Sequence, residues 1–377
     1  MQPFEARNRH FDRLVNTPDL MWMGQNTNHA SPPPTVLAAM HRVIDKEEYH
    51  VYAPPAGFEQ LRQLIIEDLR LPGLAAVVTD GAVEALYHVC RTLLGPGDEL
   101  LTTDPSWQWP MQFAREAGAT VQQIPIYGPE YGYRLDPARL ARAMNERTRI
   151  IYLVDPNNPL GSRASAAEIE AIAGIARERG AYLVHDCTYR DFAHDHHLAA
   201  RHYPERTITI YSFSKWLGLA GLRVGTFVCE PELAQRLASA PPNNLGSSVL
   251  AQRAAIAGLE SKAEWFPGVL ANCRDNLAMI EAAVAEIPGL VVPVSPSHGN
   301  FLIIECSGAG LKPEALCSAF AEHRIMVRQG AYHTPTFGDR FIKVSATVPR
   351  AWAVAFREHL PAVVERARGL DTTANFY

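Results

Sequence analysis

The sequence predicts an α/β fold: a large domain whose mainly parallel sheet is covered by helices on both faces, with a smaller α+β domain beside it. Three observations lead there. The 377 residues, 47% of them hydrophobic, exceed the roughly 250–300 residues that one hydrophobic core organises. From residue 61 to about 260, short apolar runs alternate with helical periodicity, as a parallel sheet buried on both faces requires. Beyond that stretch, helices flank a few strand-like runs, a grouping that marks a second unit.

Along the chain, Ser31-Pro32-Pro33-Pro34 cannot lie inside a helix. Residues 1–40 are therefore expected to form an N-terminal arm that joins the small domain. The large domain is expected over 41–265 and the C-terminal small domain over 266–377. Within the large domain, Val78-Thr79-Asp80-Gly81-Ala82-Val83-Glu84-Ala85 reads as a strand end opening a helix that carries Leu86, Val89, Cys90 and Leu93. The β-rich run 149–154 stops at Asp155-Pro156-Asn157-Asn158-Pro159, a turn signal. A helix follows, opened by the capping box Ser165-x-x-Glu168, lined by Ile169, Ile172 and Ile175, and closed by Gly180. The run 181–184 ends at His185-Asp186, and the run 207–211 ends at Ser212-Phe213-Ser214-Lys215. In the last third, helices are expected over 272–285, Pro313–Glu322 and Arg350–Arg368, around strands at 300–305 and 340–345. Residues 371–377 show no pattern.

Charge and cysteine content narrow the partners and the compartment. With 35 basic and 40 acidic residues, no polybasic field invites nucleic acid or an anionic membrane. The six cysteines show no Cys-x-x-Cys spacing and read as free thiols of a reducing compartment. Met1 to Arg7 lacks an apolar segment, and no apolar run approaches the ~20 residues that span a bilayer. A cytoplasmic location is expected.

Open parallel sheets bind ligands at the carboxyl edge of their strands, so Asn158, Asp186, Ser212, Ser214 and Lys215 converge if the strands are neighbours. Taken singly, each of these groups is as well explained as a helix cap or loop residue. Together they suit one cofactor. A lysine among hydroxyls can form an imine with an aldehyde, and a strand-end aspartate can keep a heterocyclic nitrogen protonated. Pyridoxal 5′-phosphate needs that pair, and its phosphate needs N–H groups at a helix start such as Gly81-Ala82-Val83.

These segments resemble, in order and over most of the chain, the fold-type I pyridoxal-phosphate enzymes, specifically the class I/II aminotransferases. The resemblance implies that Tyr52, in Tyr52-Ala53-Pro54-Pro55-Ala56-Gly57, reaches the cofactor phosphate of a neighbouring subunit, making the active unit a homodimer. It implies that Gly81, Ala82 and Val83 cradle the phosphate and that Trp107, in Asp104-Pro105-Ser106-Trp107, stacks on the pyridine ring. Asn158 and Tyr189 would bond the phenolic oxygen, and Asp186 the ring nitrogen. Lys215 would carry the imine, while Ser212, Ser214 and Arg223 hold the phosphate. Asp155-Pro156-Asn157-Asn158-Pro159-Leu160-Gly161 carries Leu160 where the family usually has Thr.

The implied reaction is ping-pong transfer of an amino group between an amino acid and a 2-keto acid, with Lys215, Asp186 and Tyr189 as the catalytic residues. The same cofactor site also serves decarboxylases, lyases, cyclases and oxidases. Gly24, Asn158, Lys343 and Arg328 are the expected substrate contacts. Lys343, in Phe341-Ile342-Lys343-Val344-Ser345, stands where the family usually places a carboxylate-clamping arginine; lysine keeps the charge and loses the planar fork. Arg328 resembles an arginine that serves a phosphate in histidinol-phosphate-type members, and reads equally as half of a surface salt bridge or as an arginine packed along its stem. His194, His196, His197 and His202 fit no metal spacing and are expected in a solvated loop.

Overall fold

The structure, a computed structural model, describes residues 4–239 and 245–370; the patternless stretch 371–377 lies outside them. The chain begins with α1 (Phe4–Val15), β1 (Met21–Trp22), α2 (Pro34–Asp45) and α3 (Glu59–Leu69). Strands and helices then alternate: β2 (Ala75–Thr79), α4 (Ala82–Leu93), β3 (Glu99–Asp104), α5 (Trp109–Glu116), β4 (Thr120–Pro125), α6 (Pro137–Ala143), β5 (Thr148–Val154) and α7 (Ala166–Arg179). They continue through β6 (Tyr182–Asp186), β7 (Thr207–Ser212), β8 (Gly225–Cys229) and α8 (Pro231–Ala238) to the long α9 (Val249–Ala285). The last elements are β9 (Phe301–Glu305), α10 (Pro313–Glu322), β10 (Ile325–Met326), β11 (Arg328–Gln329), β12 (Phe341–Ser345) and α11 (Arg350–Arg368).

Two compact units result. The larger comprises 30–158 and 162–269. Its seven strands lie in the order β2-β8-β7-β6-β5-β3-β4. Among them β8 runs against both neighbours, and the remaining pairs are parallel. Side chains alternate across a strand, and here both faces are buried. Ile150, Tyr152 and Val154 enter one core with Leu86, Val89, Met111 and Leu237, whereas Ile151 and Leu153 enter the other with Leu140, Ile169 and Ile172. The near-continuous apolar character of β5 follows from this double covering. The α/β architecture read from the sequence is the one found.

Local signals fixed the helix between β5 and β6. Ser165 Oγ accepts the Glu168 N–H while the Glu168 carboxylate accepts the Ser165 N–H, and Gly180 ends the helix in the left-handed region at φ +64°. The helix expected at 272–285 differs: it starts at Val249 and runs through Pro267. An internal proline removes one hydrogen bond and normally ends a helix, which is why the sequence hid the first half of α9.

The smaller unit comprises the described residues up to His29, residues 159–161, and 270–370. Its sheet is β11-β12-β9, antiparallel throughout, and β1 pairs in parallel with β10. Phe320 of α10 and Phe356 of α11 stack with ring centroids 4.7 Å apart, joining the two helices that cover it.

Candidate active site

The register of the large sheet places the polar strand ends along one edge. Thr79 of β2 faces Gly225 of β8, and Gly225 faces Ser212 of β7. Ile210 of β7 is level with Asp186 of β6, which is level with Val154 of β5. β3 runs parallel beside β5. The segments carrying Gly81–Val83, Trp107, Asn158, Asp186, Tyr189, Ser212, Ser214, Lys215 and Arg223 therefore leave the sheet at the same edge, as the sequence reading required.

At the start of α4 the backbone is packed too closely for any side chain. Gly81 has φ +87°, and a Cβ on it would lie 3.0 Å from Arg223 Cζ. A Cβ on Gly225 would lie 2.6 Å from the carbonyl carbon of Gly81. Arg223 is itself left-handed at φ +55°; its Nη1 donates to Ala220 O at 2.9 Å and its Nη2 to Asp80 O at 3.3 Å. A guanidinium is thus held against the N-terminal turn of a 12-residue helix, where unpaired N–H groups and the helix dipole favour an anion. Ser212 Oγ accepts the Ser214 N–H at 3.2 Å, leaving the hydroxyl proton to donate.

Asp186 is buried, and its bonds come from uncharged donors: Tyr152 Oη–H to Oδ2 at 2.9 Å, Thr188 N–H to Oδ1 at 3.1 Å, and the Thr188 hydroxyl. Burial outweighs these bonds and pushes its pKa up. Tyr152 was not anticipated. The signal was a lone phenol within the aliphatic run 150–154, two residues before the end of β5; its meaning depends on β6 lying alongside.

Behind Asp186 lies a second polar layer. His185 Nδ1 accepts the Ala199 N–H at 3.3 Å, so its proton sits on Nε2, 3.7 Å from Asp155 Oδ2. His196 Nε2 is 3.1 Å from the same oxygen. Burial raises the Asp155 pKa, but the two histidines outweigh it and hold the carboxyl well below its ordinary range. Burial holds His185 below its usual value, hence neutral. The ligating atoms of His185, Cys187 and His196 lie within 4.8 Å of one another. His185 presents a proton rather than a lone pair to that space, and burial, then Asp155, keeps the Cys187 thiol protonated. In this structure both histidines are turned toward Asp155. The expected solvated histidine loop needs correction at His196, whose side chain is 5% exposed, because Asp155 draws it inward.

Asn158 and Tyr189 are buried, Lys215 is half-buried, and Trp107 packs partly buried against the core beneath the sheet. Tyr52 is 79% exposed. In the smaller unit, Gly24 lies against β10 and β11: a Cβ there would be 2.9 Å from the Val327 carbonyl carbon. Arg328 and Lys343 are register partners and both buried. The surface reading of Arg328 is thereby overturned. Its guanidinium lies 4.3 Å from the Tyr332 ring centroid, and its buried Nη1 has no hydrogen-bond partner among the described residues. Burial, then Lys343 and Arg328, hold the buried His333 neutral, and neither of its ring nitrogens has a hydrogen-bond partner among the described residues. The Gly161 carbonyl accepts the His298 N–H at 2.7 Å, and Gly161 has φ +78°, which explains the glycine that follows Leu160.

Known proteins share this arrangement. The family described as aminotransferase class I and II matches residues 18–352. Histidinol-phosphate aminotransferase 2 of Carboxydothermus hydrogenoformans is 30% identical over 346 residues, 90% of this chain and 90% of that protein. Aspartate aminotransferase of Pyrococcus horikoshii is 25% identical over 350 residues, 89% of this chain and 88% of its own. The solved structure of Thermus thermophilus aspartate aminotransferase with maleate superposes with TM-score 0.81 at 26% identity, covering 97% of this chain and 96% of that one.

Proposed function

The chain belongs to the class I and II aminotransferases, which work with pyridoxal 5′-phosphate, and on that premise we propose that Lys215, Asp186 and Tyr189 are its catalytic residues. The transfer runs between an amino acid and a 2-keto acid. The residues at the sheet edge fit the cofactor on two counts. Asp186 is a buried carboxyl with no cationic bonding partner among the described residues, the complement of a protonated ring nitrogen. Gly81 and Gly225 leave space that a Cβ would fill, beside a helix start and Arg223, the complement of a phosphate.

Gly81, Ala82, Val83, Ser212, Ser214 and Arg223 would hold the phosphate, Trp107 the ring face, and Asn158 with Tyr189 the phenolic oxygen. When bound, the cofactor supplies an electron sink for charge developing at the substrate Cα. Lys215 would take the proton from the substrate Cα and return it at the cofactor's carbon. Asp186 keeps the ring-nitrogen proton in place, and Tyr152 orients that carboxylate. Arg328 and Lys343, with Gly24 and Asn158, are the proposed substrate contacts. Within the smaller unit, two buried cations and a neutral histidine suit a carboxylate.

Six exposed apolar or aromatic side chains support a homodimer: Leu37, Ile44, Tyr49, Val51, Tyr52 and Leu245 are each at least 43% exposed, more than a monomer usually leaves in one region. Tyr52 would then complete its partner's phosphate site. All six cysteines are buried and unbridged, and no described helix is long and apolar enough to cross a membrane; both support a cytoplasmic location.

The observation that carries the reading is the convergence of Asp186 and the Lys215 loop on one sheet edge. The test mixes cofactor-loaded protein with a panel of amino acids, without acceptor, and measures released keto acid. Lys215→Ala is expected to slow that release at least about a hundredfold. Unchanged release from Lys215→Ala would overturn the assignment.

A further inference from the structure

Behind the loops that carry Tyr189 and Lys215, α9 presents one ridge to both. Gly258, Lys262 and Phe266 are spaced by four residues and so share a face of the helix. At Gly258 the helix touches the Lys215 loop so closely that a Cβ would come within 2.8 Å of Leu217 Cδ1. At Phe266 the ring meets Trp216 edge-on at 6.0 Å and Phe192 at 5.5 Å. Trp216 and Leu217 directly follow Lys215, and Phe192 lies three residues after Tyr189.

Between these two apolar contacts sits a buried ionic one. Lys262 Nζ donates to Asp191 Oδ1 at 2.6 Å, to Asp68 Oδ1 and Oδ2 at 2.7 and 2.8 Å, and to Tyr211 Oη at 3.0 Å. The ammonium also lies 4.5 Å from the Trp216 ring centroid, within cation–π range. Arg190 Nη1 donates to Asp68 Oδ2 at 2.7 Å, and the Tyr211 hydroxyl donates to the same oxygen at 3.1 Å. Two acids and two bases balance, and the side chains of Lys262 and Asp191 are 14% and 7% exposed. Removing one member of such a network leaves an uncompensated buried charge.

Asp191 is two residues from Tyr189, Tyr211 is one from Ser212, and Trp216 is next to Lys215. We propose that Lys262 is a positioning residue: it ties the loop after β6 to the loop after β7, so that Tyr189, Ser212 and Lys215 keep a fixed relation at the sheet edge. The network is too large for a surface ion pair, whose worth is small, and it touches both loops at once. The inference rests on the reading of Lys215 and Tyr189 as cofactor contacts.

The experiment compares cofactor retention in the full-length holoenzyme and three variants. Lys262→Met keeps the aliphatic stem and removes the charge; if it fails to fold, Lys262→Met with Asp191→Asn removes one charge of each sign and takes its place. Ile172→Ala, in the apolar core between α7 and the sheet, lowers stability without removing any member of the Lys262 network. Lys215→Ala tests the underlying reading. The expected result is a cofactor dissociation constant raised at least about tenfold in the Lys262 variant, with an altered pH dependence of the bound cofactor's visible absorbance. Ile172→Ala should leave both within twofold of wild type. A Lys262 variant that loses melting temperature like Ile172→Ala, yet binds cofactor with unchanged affinity and spectrum, overturns the positioning role. If Lys215→Ala binds cofactor with the wild-type spectrum, the reading of Lys215 fails instead, and the clamp has nothing to position.

Discussion

At the scale of single residues, Asp186 shows a function set against stability. An isolated buried carboxylate is costly, and two neutral donors, Tyr152 and Thr188, do not offset the burial, so its pKa in the folded chain lies above the unfolded value. The sign follows from proton counting. Between the ordinary carboxylate value and the raised one, the folded protein binds more protons than the unfolded one, so stability falls as pH rises through that window. Without cofactor, Asp186→Asn should therefore raise the melting temperature at neutral pH by at least about 2 °C, the shift that about 1 kcal/mol gives in a domain of this size. The gain should vanish below the ordinary carboxylate range, where the wild-type group is protonated in both states. The same variant should lose amino-transfer activity by about a hundredfold or more, since the ring-nitrogen proton then lacks its counter-charge. Thermal melts of cofactor-free protein across pH decide the matter: a pH-independent difference between the two proteins would mean that Asp186 bears no burial penalty. Asp186 itself was legible in the sequence because it ends an apolar run. Tyr152 was not, because its purpose appears where β5 and β6 are laid side by side.

At the scale of elements, legibility tracks how local the determining contacts are. α7 could be bounded at both ends because its capping box and terminal glycine act within a few residues. The first half of α9 could not, because Pro267 argues against it locally and its justification is tertiary: the ridge of Gly258, Lys262 and Phe266 against two loops far away in sequence. The same contrast separates stability from binding at two other positions. Ser165→Ala removes one cap from α7, and should cost about 1 kcal/mol of stability while leaving cofactor affinity within twofold. Gly225→Ala acts differently. Its Cβ would press on the backbone of Gly81 and Ala82 rather than on a side chain that can turn aside, so β8 and the start of α4 must separate. Overpacking of this kind costs roughly 1–3 kcal/mol, and here the strain falls on the proposed phosphate cradle. Cofactor affinity should drop at least about tenfold in Gly225→Ala, the loss of roughly one charge-assisted hydrogen bond. Isothermal titration of both variants with the cofactor reads the difference; equal affinities would place the phosphate elsewhere.

At the scale of the whole molecule, the order of motifs along the chain disclosed the family and the α/β sheet, while the groups that hold the site in place stayed hidden. Gly81, Asn158, Asp186 and Lys215 are separated by tens of residues, yet the parallel topology takes each to the same edge, so their places at strand ends, together with the family resemblance, could mark them. Asp68 and Lys262 carry no such mark, since an acid or a lysine within a helix reads as solvated until its neighbours are known. Assembly belongs to this scale too. Tyr52 is exposed among Leu37, Ile44, Tyr49 and Val51, and a residue so placed serves a site in its own chain poorly. If it completes the site of a second copy, each active site draws Lys215 from one chain and Tyr52 from the other. Lys215→Ala and Tyr52→Ala should then each be nearly inactive as homodimers. Coexpressed with distinct tags, they form mixed dimers in which one site carries both substitutions and the other carries neither. Random pairing makes half the dimers mixed, so the pooled sample should recover about a quarter of wild-type activity, and purified mixed dimers about half. No recovery above the two homodimers would show that Tyr52 and Lys215 serve the same chain's site, and the shared-site arrangement would have to be abandoned.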